Sequence, residues 1–367
     1  MPVASSGFTA AFRTALRRAQ TEQPRTVGKN FRHPPVAGDV VPLSVLDLVP
    51  IGSGSTPTAA LASSTALIRR VEELGYHRYW VAEHHGMPGI ASSSPAVLIA
   101  HLAGATSTIR VGSGGVMLPN HQPLVIAEQF GMLDALHPGR IDLGIGRAPG
   151  TDPRTARALR RGTDALGVDD FPEHLQELAA YFRGEGPVVA VPAHGQKPDM
   201  WLLGSSGYSA QVAGLLGLPF AFAHHFSGEN TLAALALYRD TFRPGVLTEP
   251  YSMICTAVLA ASSDAEARRL AMPGALQFLR LRMGNPGLVP TVEEAEAYPY
   301  SPQELAFVED RLAGQVIGSP ETVRDGVREL VERTGVQELM VTTSTHGARD
   351  RIRSYELLSE AVAPAVV

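Results

Sequence analysis

The feature that most narrows the folds open to this chain is an alternation. Short, almost continuously apolar runs are followed, about eight times, by segments with helical periodicity. The runs are LSVLDLV (43–49), RYWVAE (78–83), IRVGSGGVML (109–118), RIDLGIG (140–146), MWLLG (200–204), PFAFA (219–223), SMICTAVLAA (252–261) and ELMVTTS (338–344). A strand that is apolar on both faces is covered on both faces, which is the signature of a parallel sheet wrapped in helices. Between the runs, Leu61, Leu67, Ile68, Val71 and Leu74 recur at helical spacing within 57–75, and Gly75 stands where a helix C-cap glycine belongs. Ser319-Pro320 likewise opens a helix that runs to Gly335. Further helices are expected at 95–107, 123–139, 206–216, 231–242 and 349–362. Eight such units predict a closed (β/α)₈ barrel with insertions, a TIM barrel; a doubly wound open sheet is the competing arrangement.

The 367 residues suit one such barrel, with two irregular insertions at 147–170 and 284–318. The second is expected to act either as a lid or as a passive surface or subunit loop. One cysteine, Cys255, excludes an internal disulfide. No run of 18 apolar residues occurs, so no membrane span is expected and the location is read as cytoplasmic. Charge is uneven. Residues 1–42 carry Arg13, Arg17, Arg18, Arg25, Lys29 and Arg32 against Glu22 and Asp39, leaving 25 basic and 34 acidic residues elsewhere, a net of −9. An acidic body argues against a nucleic-acid partner. The basic stretch 1–41 is read as an extension, either a solvated arm, a helix packed on the body or on a second subunit, or a transit peptide; residues 42–367 form the barrel domain.

In a barrel of this kind the strand C-termini meet at one mouth, where sites are built. The residues there are Asp47, Glu83-His84-His85, Gly114 to Leu118, Gly144 to Arg147, Gly204-Ser205-Ser206, Ala223-His224-His225 and Thr342-Thr343. Adjacent residues of an extended segment point to opposite sides, so His84 and His85 are poor joint ligands for one metal, and no metal site is expected. GSSGYSAQVAG (204–214) runs from a strand end into a helix start with hydroxyls and free amides, the pattern that binds phosphate. Arg147 is placed to donate a forked bond to the same phosphate or to form a rim ion pair. GIGRAPG does not complete a dinucleotide fingerprint, because Pro149 stands where the third glycine belongs. Gly112, Gly114 and Gly115 clear one strand of side chains where a flat ligand or an unusual backbone approaches.

The segment EHHGMPGIASSSPAVLIAHLAGATSTIRVGSGGVMLPNHQPLVIAEQFGMLDALHPGRIDLGIGR, with VIGSPETVRDGVRELVERTGVQELMVTT near the end, resembles the bacterial luciferase-like flavin monooxygenase family over about residues 42–362. The resemblance implies reduced FMN and O₂ as co-reactants, a flavin hydroperoxide, and transfer of one oxygen atom to an organic substrate. It places His84 beside the flavin as the proton-moving residue, Gly114-Gly115 at a non-proline cis peptide against the ring, and Val116 and Met117 at its flanks. Arg147, Ser205 and the amides of Ser205 and Ser206 match the phosphate pocket, and Asp47, Glu83 and Gly204 complete the cofactor-binding set. Gly146 stands where light-emitting members carry a reactive cysteine, so a thiol-dependent, light-emitting reaction is not expected. Without a nicotinamide fingerprint, FMNH₂ is expected from a separate reductase; a homodimer is expected from the family. The alternatives are a deazaflavin-dependent dehydrogenase or reductase on the same barrel, and a non-catalytic flavin-binding protein.

Overall fold

The computed structural model describes residues 41–148, 150–159 and 170–362. The reading of 1–41 as a basic extension therefore concerns residues almost wholly outside those described. Nine parallel strands run as β1 (Leu43–Asp47), β2 (Arg78–Val81), β3 (Arg110–Met117), β4 (Ile141–Gly146), β5 (Asp199–Gly204), β6 (Phe220–Phe222), β7 (Ser252–Ala260), β8 (Val316–Gly318) and β9 (Glu338–Thr342). Each of β1 to β6 pairs with the next, β6 pairs with β7, β7 with β9, and β9 returns to β1. Eight strands thus close a parallel barrel, the (β/α)₈ architecture that the alternation predicts. β8 stands outside the ring and pairs only with the far end of β7, Val258 opposite Val316.

The first helices are α1 (Pro57–Glu73), α2 (Pro95–Gly104), α3 (Pro123–Leu136), α4 (Pro153–Leu159) and α5 (Phe171–Arg183). After β5 come α6 (Gly207–Leu216), α7 (Thr231–Thr241) and α8 (Asp264–Arg282). The rest are α9 (Val292–Glu296), α10 (Pro302–Ala313), α11 (Pro320–Thr334) and α12 (Ala348–Val362). Local chemistry accounts for the boundaries. At α1 the Thr56 side chain accepts from the Ala59 amide, Pro57 supplies the first helical φ, and Gly75 turns the chain out at φ 80°. The stretch 284–318 is not irregular throughout: Thr291 and Ser301 each form a reciprocal capping box, with Glu294 and Glu304, that start α9 and α10.

Strand alternation divides side chains between an outer layer under the helices and the barrel interior. The interior has a charged floor. Arg78 donates to Asp142 (2.8 Å) and Glu338 (2.6 Å), Arg110 to Asp142 (2.5 Å) and Asp199 (2.6 Å), and Tyr251 to Glu338 (2.9 Å). Above it lies an apolar plug containing Leu46, Trp80, Trp201, Met253 and Met340. A separate small core joins α8, α9 and α10 to the upper end of β7 through residues such as Leu276, Val308 and Leu259. The space between that unit and the barrel mouth is the candidate site.

Candidate active site

β2 leads out of the barrel through Ala82, Glu83, His84 and His85, and the period of two is kept. His84 turns into a cavity of about 340 Å³ at the mouth. Its Nδ1 is buried without a hydrogen-bond partner. Burial lowers the pKa of His84, offset in part by the charge of Glu83, so the ring is neutral near pH 7. Glu83 and His85 turn to the other side. Glu83 Oε1 accepts from His85 Nε2 (2.9 Å) and His121 Nε2 (2.8 Å), while Oε2 accepts from the Met117 amide (3.0 Å). Burial alone would raise the Glu83 carboxyl, but these bonds outweigh it and hold it at about 2. Glu83 is thus an anchor for the β3 end beside the mouth, and its oxygens are taken up by protein donors.

Glu83, His85 and His121 also bring three potential ligand atoms within 4.8 Å of one another. The sequence reading found no group with ligand spacing, because the loop after β3 delivers His121 from 36 positions beyond His85. In the structure these three groups satisfy each other by hydrogen bonding.

Asp47 is the clearest correction. The resemblance groups Asp47 with the cofactor-binding residues, but it lies beneath the helices, where Arg351 pairs with it at 2.6 Å and the Val49 amide donates at 2.7 Å. The hydroxyls of Ser64 and Tyr79 donate to its second oxygen. Four donors leave it no capacity for a ligand, and its role is to lock β1 to α1 and α12.

The Gly114–Gly115 peptide is cis, and the β3–β4 register shifts between Ser113 and Val116. The room these glycines leave is used by neighbouring strands. A Cβ on Gly114 would lie 2.6 Å from Leu46 Cδ1, one on Gly115 2.8 Å from the Gly144 carbonyl, and one on Gly112 2.5 Å from Asp142 Cβ. Packing alone therefore requires glycine at these places. Val116 is 2% exposed within the core under the helices, so only its backbone can face the mouth. Met117 is half-buried, with its sulfur against the position a Gly146 Cβ would take.

Arg147 and the Gly204–Ser206 turn, 57 residues apart in sequence, meet because β4 and β5 pair with Gly146 opposite Leu203. The Arg147 guanidinium lies 4.1 Å over the Tyr208 ring and has no acidic partner among the described residues. Ser206 caps α6 without using its side chain, and both serines are exposed. A cation, two free hydroxyls and a helix N-terminus are the elements of an oxyanion cradle. Gly150, three residues past Arg147, lines the cavity that holds His84.

Apart from His225, expected at the mouth from its strand end, much of the remaining cavity wall comes from places the sequence does not single out. The helix α8 supplies Ala271, Ala275 and Phe278, the β6 end supplies His225 and Phe226, and α10 supplies Arg311. His225 hydrogen-bonds through Nδ1 to the Cys255 carbonyl (3.0 Å), and burial takes its pKa down to about 4. Cys255 is a free, buried thiol whose pKa burial raises.

A model of the luciferase-like monooxygenase family matches residues 41–338. The chain belongs to that family. Among its relatives, the uncharacterized protein YvbT of Bacillus subtilis (strain 168) is 51% identical, over 87% of this chain and 96% of the relative. The luciferase-like monooxygenase of Escherichia coli (strain K12) is 46% identical, over 86% of this chain and 96% of the relative. The crystal structure of apo-MsnO8 superposes with a TM-score of 0.81 at 40% identity, covering 88% of this chain and 98% of that one. Two more distant structures share the fold. They are the oxygenating constituent of 3,6-diketocamphane monooxygenase in complex with FMN (TM-score 0.67, 20% identity, 89% and 99% covered) and an F420-dependent secondary alcohol dehydrogenase (0.63, 13%, 88% and 99%). Luciferase-like neighbours thus bind FMN or F420, and among the described residues no helix is long and apolar enough to cross a membrane.

Proposed function

We propose that this protein is an FMNH₂-dependent monooxygenase that inserts one atom of O₂ into a small organic substrate. The observations that carry the reading are the cradle of Arg147, Ser205 and Ser206 at the start of α6, and a cavity lined by a neutral His84 with an unpartnered Nδ1 and by Gly150, three residues past Arg147. The residues fit a flavin mononucleotide: a phosphate end at the cradle, and at the cavity a nitrogen still lacking a partner.

When bound, the reduced flavin supplies the reaction with O₂ and the oxygen atom that is transferred. The chain does the rest. Arg147 and the two serines hold the phosphate, with Gly204 giving the turn its shape: a Cβ there would lie 2.6 Å from Ser209 Cβ. Gly114, Gly115, Val116 and Met117 offer backbone to the ring. His84 accepts and returns a proton, and its lowered pKa keeps the ring neutral so that one of its nitrogens is free as an acceptor. The α8–α10 unit covers the mouth and limits water entry. In this reading FMNH₂ arrives from a separate reductase, and a second copy of the chain covers the exposed Val97, Met132 and Leu136 on neighbouring helices α2 and α3.

Anaerobic titration with FMNH₂ and, separately, with a reduced deazaflavin tests the cofactor. FMNH₂ should bind saturably, and Arg147→Ala should weaken it about 10- to 100-fold, as expected for one charge-assisted contact. After mixing with oxygen, His84→Ala should leave binding intact and change the rate at which bound FMNH₂ is oxidised. Binding of the deazaflavin alone, or an Arg147→Ala variant with wild-type affinity, would overturn the assignment.

A further inference from the structure

Arg311 is a cation that has no counter-charge among the described residues. It sits on α10, lines the same cavity as His84, and stacks its guanidinium 3.9 Å over the Phe278 ring. Phe278 is in turn stacked on Phe307, the residue one turn before Arg311, at 6.1 Å and 5°. One Nη1 donates to the His225 carbonyl at 2.7 Å; Nε is buried with no partner. Among the described residues no carboxylate lies within ion-pair distance of it. The buried cations Arg78, Arg110 and Arg351 all have carboxylates within 2.8 Å, whereas half-buried Arg311, like half-buried Arg140, is bonded to backbone oxygen without one.

A guanidinium withdrawn from water without an anion is costly, and it regains that cost when an oxyanion enters the forked face of its remaining donors. The aromatic stack beneath fixes the plane of the fork, so a planar or tripodal oxyanion meets it in a defined orientation. The rest of the wall is mainly apolar, including Leu281, Phe226 and Ile90. A ligand that satisfies both parts has an anionic head and an apolar body.

We propose that Arg311 anchors the substrate, and that the substrate is an organic anion: a carboxylate or sulfonate whose apolar portion extends along the α8 wall toward His84. The proposal rests on the reading that this cavity takes the substrate of a flavin-dependent oxygenase, and it assigns that substrate a chemical class. Arg311 thereby becomes a specificity-determining residue contributed by the 284–318 insertion. The Arg147 cradle is a separate anion site at the β4 and β5 ends.

The test uses the intact chain without cofactor, titrated calorimetrically with hexanoate, hexane-1-sulfonate and the neutral hexanamide, and then repeated with FMN present. At least one anion should bind wild type ten-fold or more tightly than hexanamide does. Arg311→Gln should erase that preference while changing hexanamide affinity less than three-fold, and Arg311→Lys should keep part of it, because charge survives but the fork does not. Equal binding of anions and amide to wild type, no saturable binding of either anion, or an undiminished preference in Arg311→Gln overturns the proposal. So does an Arg311→Gln variant that loses ten-fold in FMN affinity, since the cation would then face the cofactor. If Arg311→Gln fails to fold by circular dichroism, the wild-type preference and its reduction in Arg311→Lys decide. Failure of wild type to bind FMN would sink the flavin reading without touching an anion preference measured on the cofactor-free chain.

Discussion

The two ends of the barrel handle charge in opposite ways. At the floor, Arg78 and Arg110 are paired with Asp142, Asp199 and Glu338 within 2.8 Å, and Arg78 also lies 4.8 Å over the Trp201 ring. At the mouth, Arg147 and Arg311 have no acid partner among the described residues and His84 keeps a bare nitrogen. Both ends are built from the same strands, but the floor cations Arg78 and Arg110 are buried whereas Arg147 and Arg311 at the mouth are half-buried, so water can still reach the mouth cations. The demand differs as well. A floor that must never open saturates its polar groups, because an orphaned charge there would cost several kcal/mol. A mouth that receives ligands leaves groups unsatisfied until the ligand arrives. Glu83 stands between the two regimes, saturated by protein donors yet placed at the rim to hold the Met117 amide.

The comparison can be broken most forcefully at the floor. Asp142→Ala strips partners from Arg78, Arg110 and the Trp80 indole together. It should cost about 3–5 kcal/mol in denaturant-unfolding stability while the fraction still folded binds FMNH₂ as wild type does. A loss below about 1 kcal/mol would mean the floor is not the integrated network described.

Glu83 gives the next effect, and its sign is fixed by the shift. The folded carboxyl titrates at about 2 against an ordinary 4.5. Its stabilisation is therefore complete above about pH 4.5 and lost as pH falls from 4.5 toward 2. Glu83→Gln should lack that component. The stability gap between wild type and variant should be about 2–3 kcal/mol at neutral pH and should close by about pH 2. A gap that does not change with pH would show that packing, not the ionised carboxylate, holds the β3 end.

The smallest effect separates a cap from a ligand site. Replacing an N-cap serine usually costs about 1 kcal/mol, but Ser206 makes no cap bond with its side chain. Ser206→Ala should change stability by less than about 0.5 kcal/mol and weaken FMNH₂ binding by a few-fold. A stability loss near the ordinary capping value, with unchanged flavin affinity, would return Ser206 to the structural side of the comparison.

Most elements were legible because their local signals were strong. The eight apolar runs became the eight barrel strands, and Thr56-Pro57, Gly75 and Ser319-Pro320 mark helix ends where they were expected. The helix α8 escaped because Pro273 sits at its centre, although Ser263 with Glu266 three residues on is a usable start signal. The capping boxes of α9 and α10 were equally readable, yet an insertion dense in Gly and Pro reads as irregular. Three features depend on the direction of side chains rather than on sequence position. Asp47 turns under the helices, the glycines of β3 yield their space to neighbouring strands, and His121 reaches Glu83 across a loop.

By itself, the sequence determined the layers, the order of the strand–helix units and the divergence of His84 from His85, since a two-residue period needs no partner to be true. Only the tertiary structure decided which side of each strand end is the mouth. Closure brings Arg147 over Tyr208 at the start of α6, seats α8 and α10 over the cavity of His84, and leaves Arg311 facing that cavity with no carboxylate to meet it among the described residues. Whether a charge is satisfied is a property of what surrounds it, and for these residues the surroundings come from remote parts of the chain.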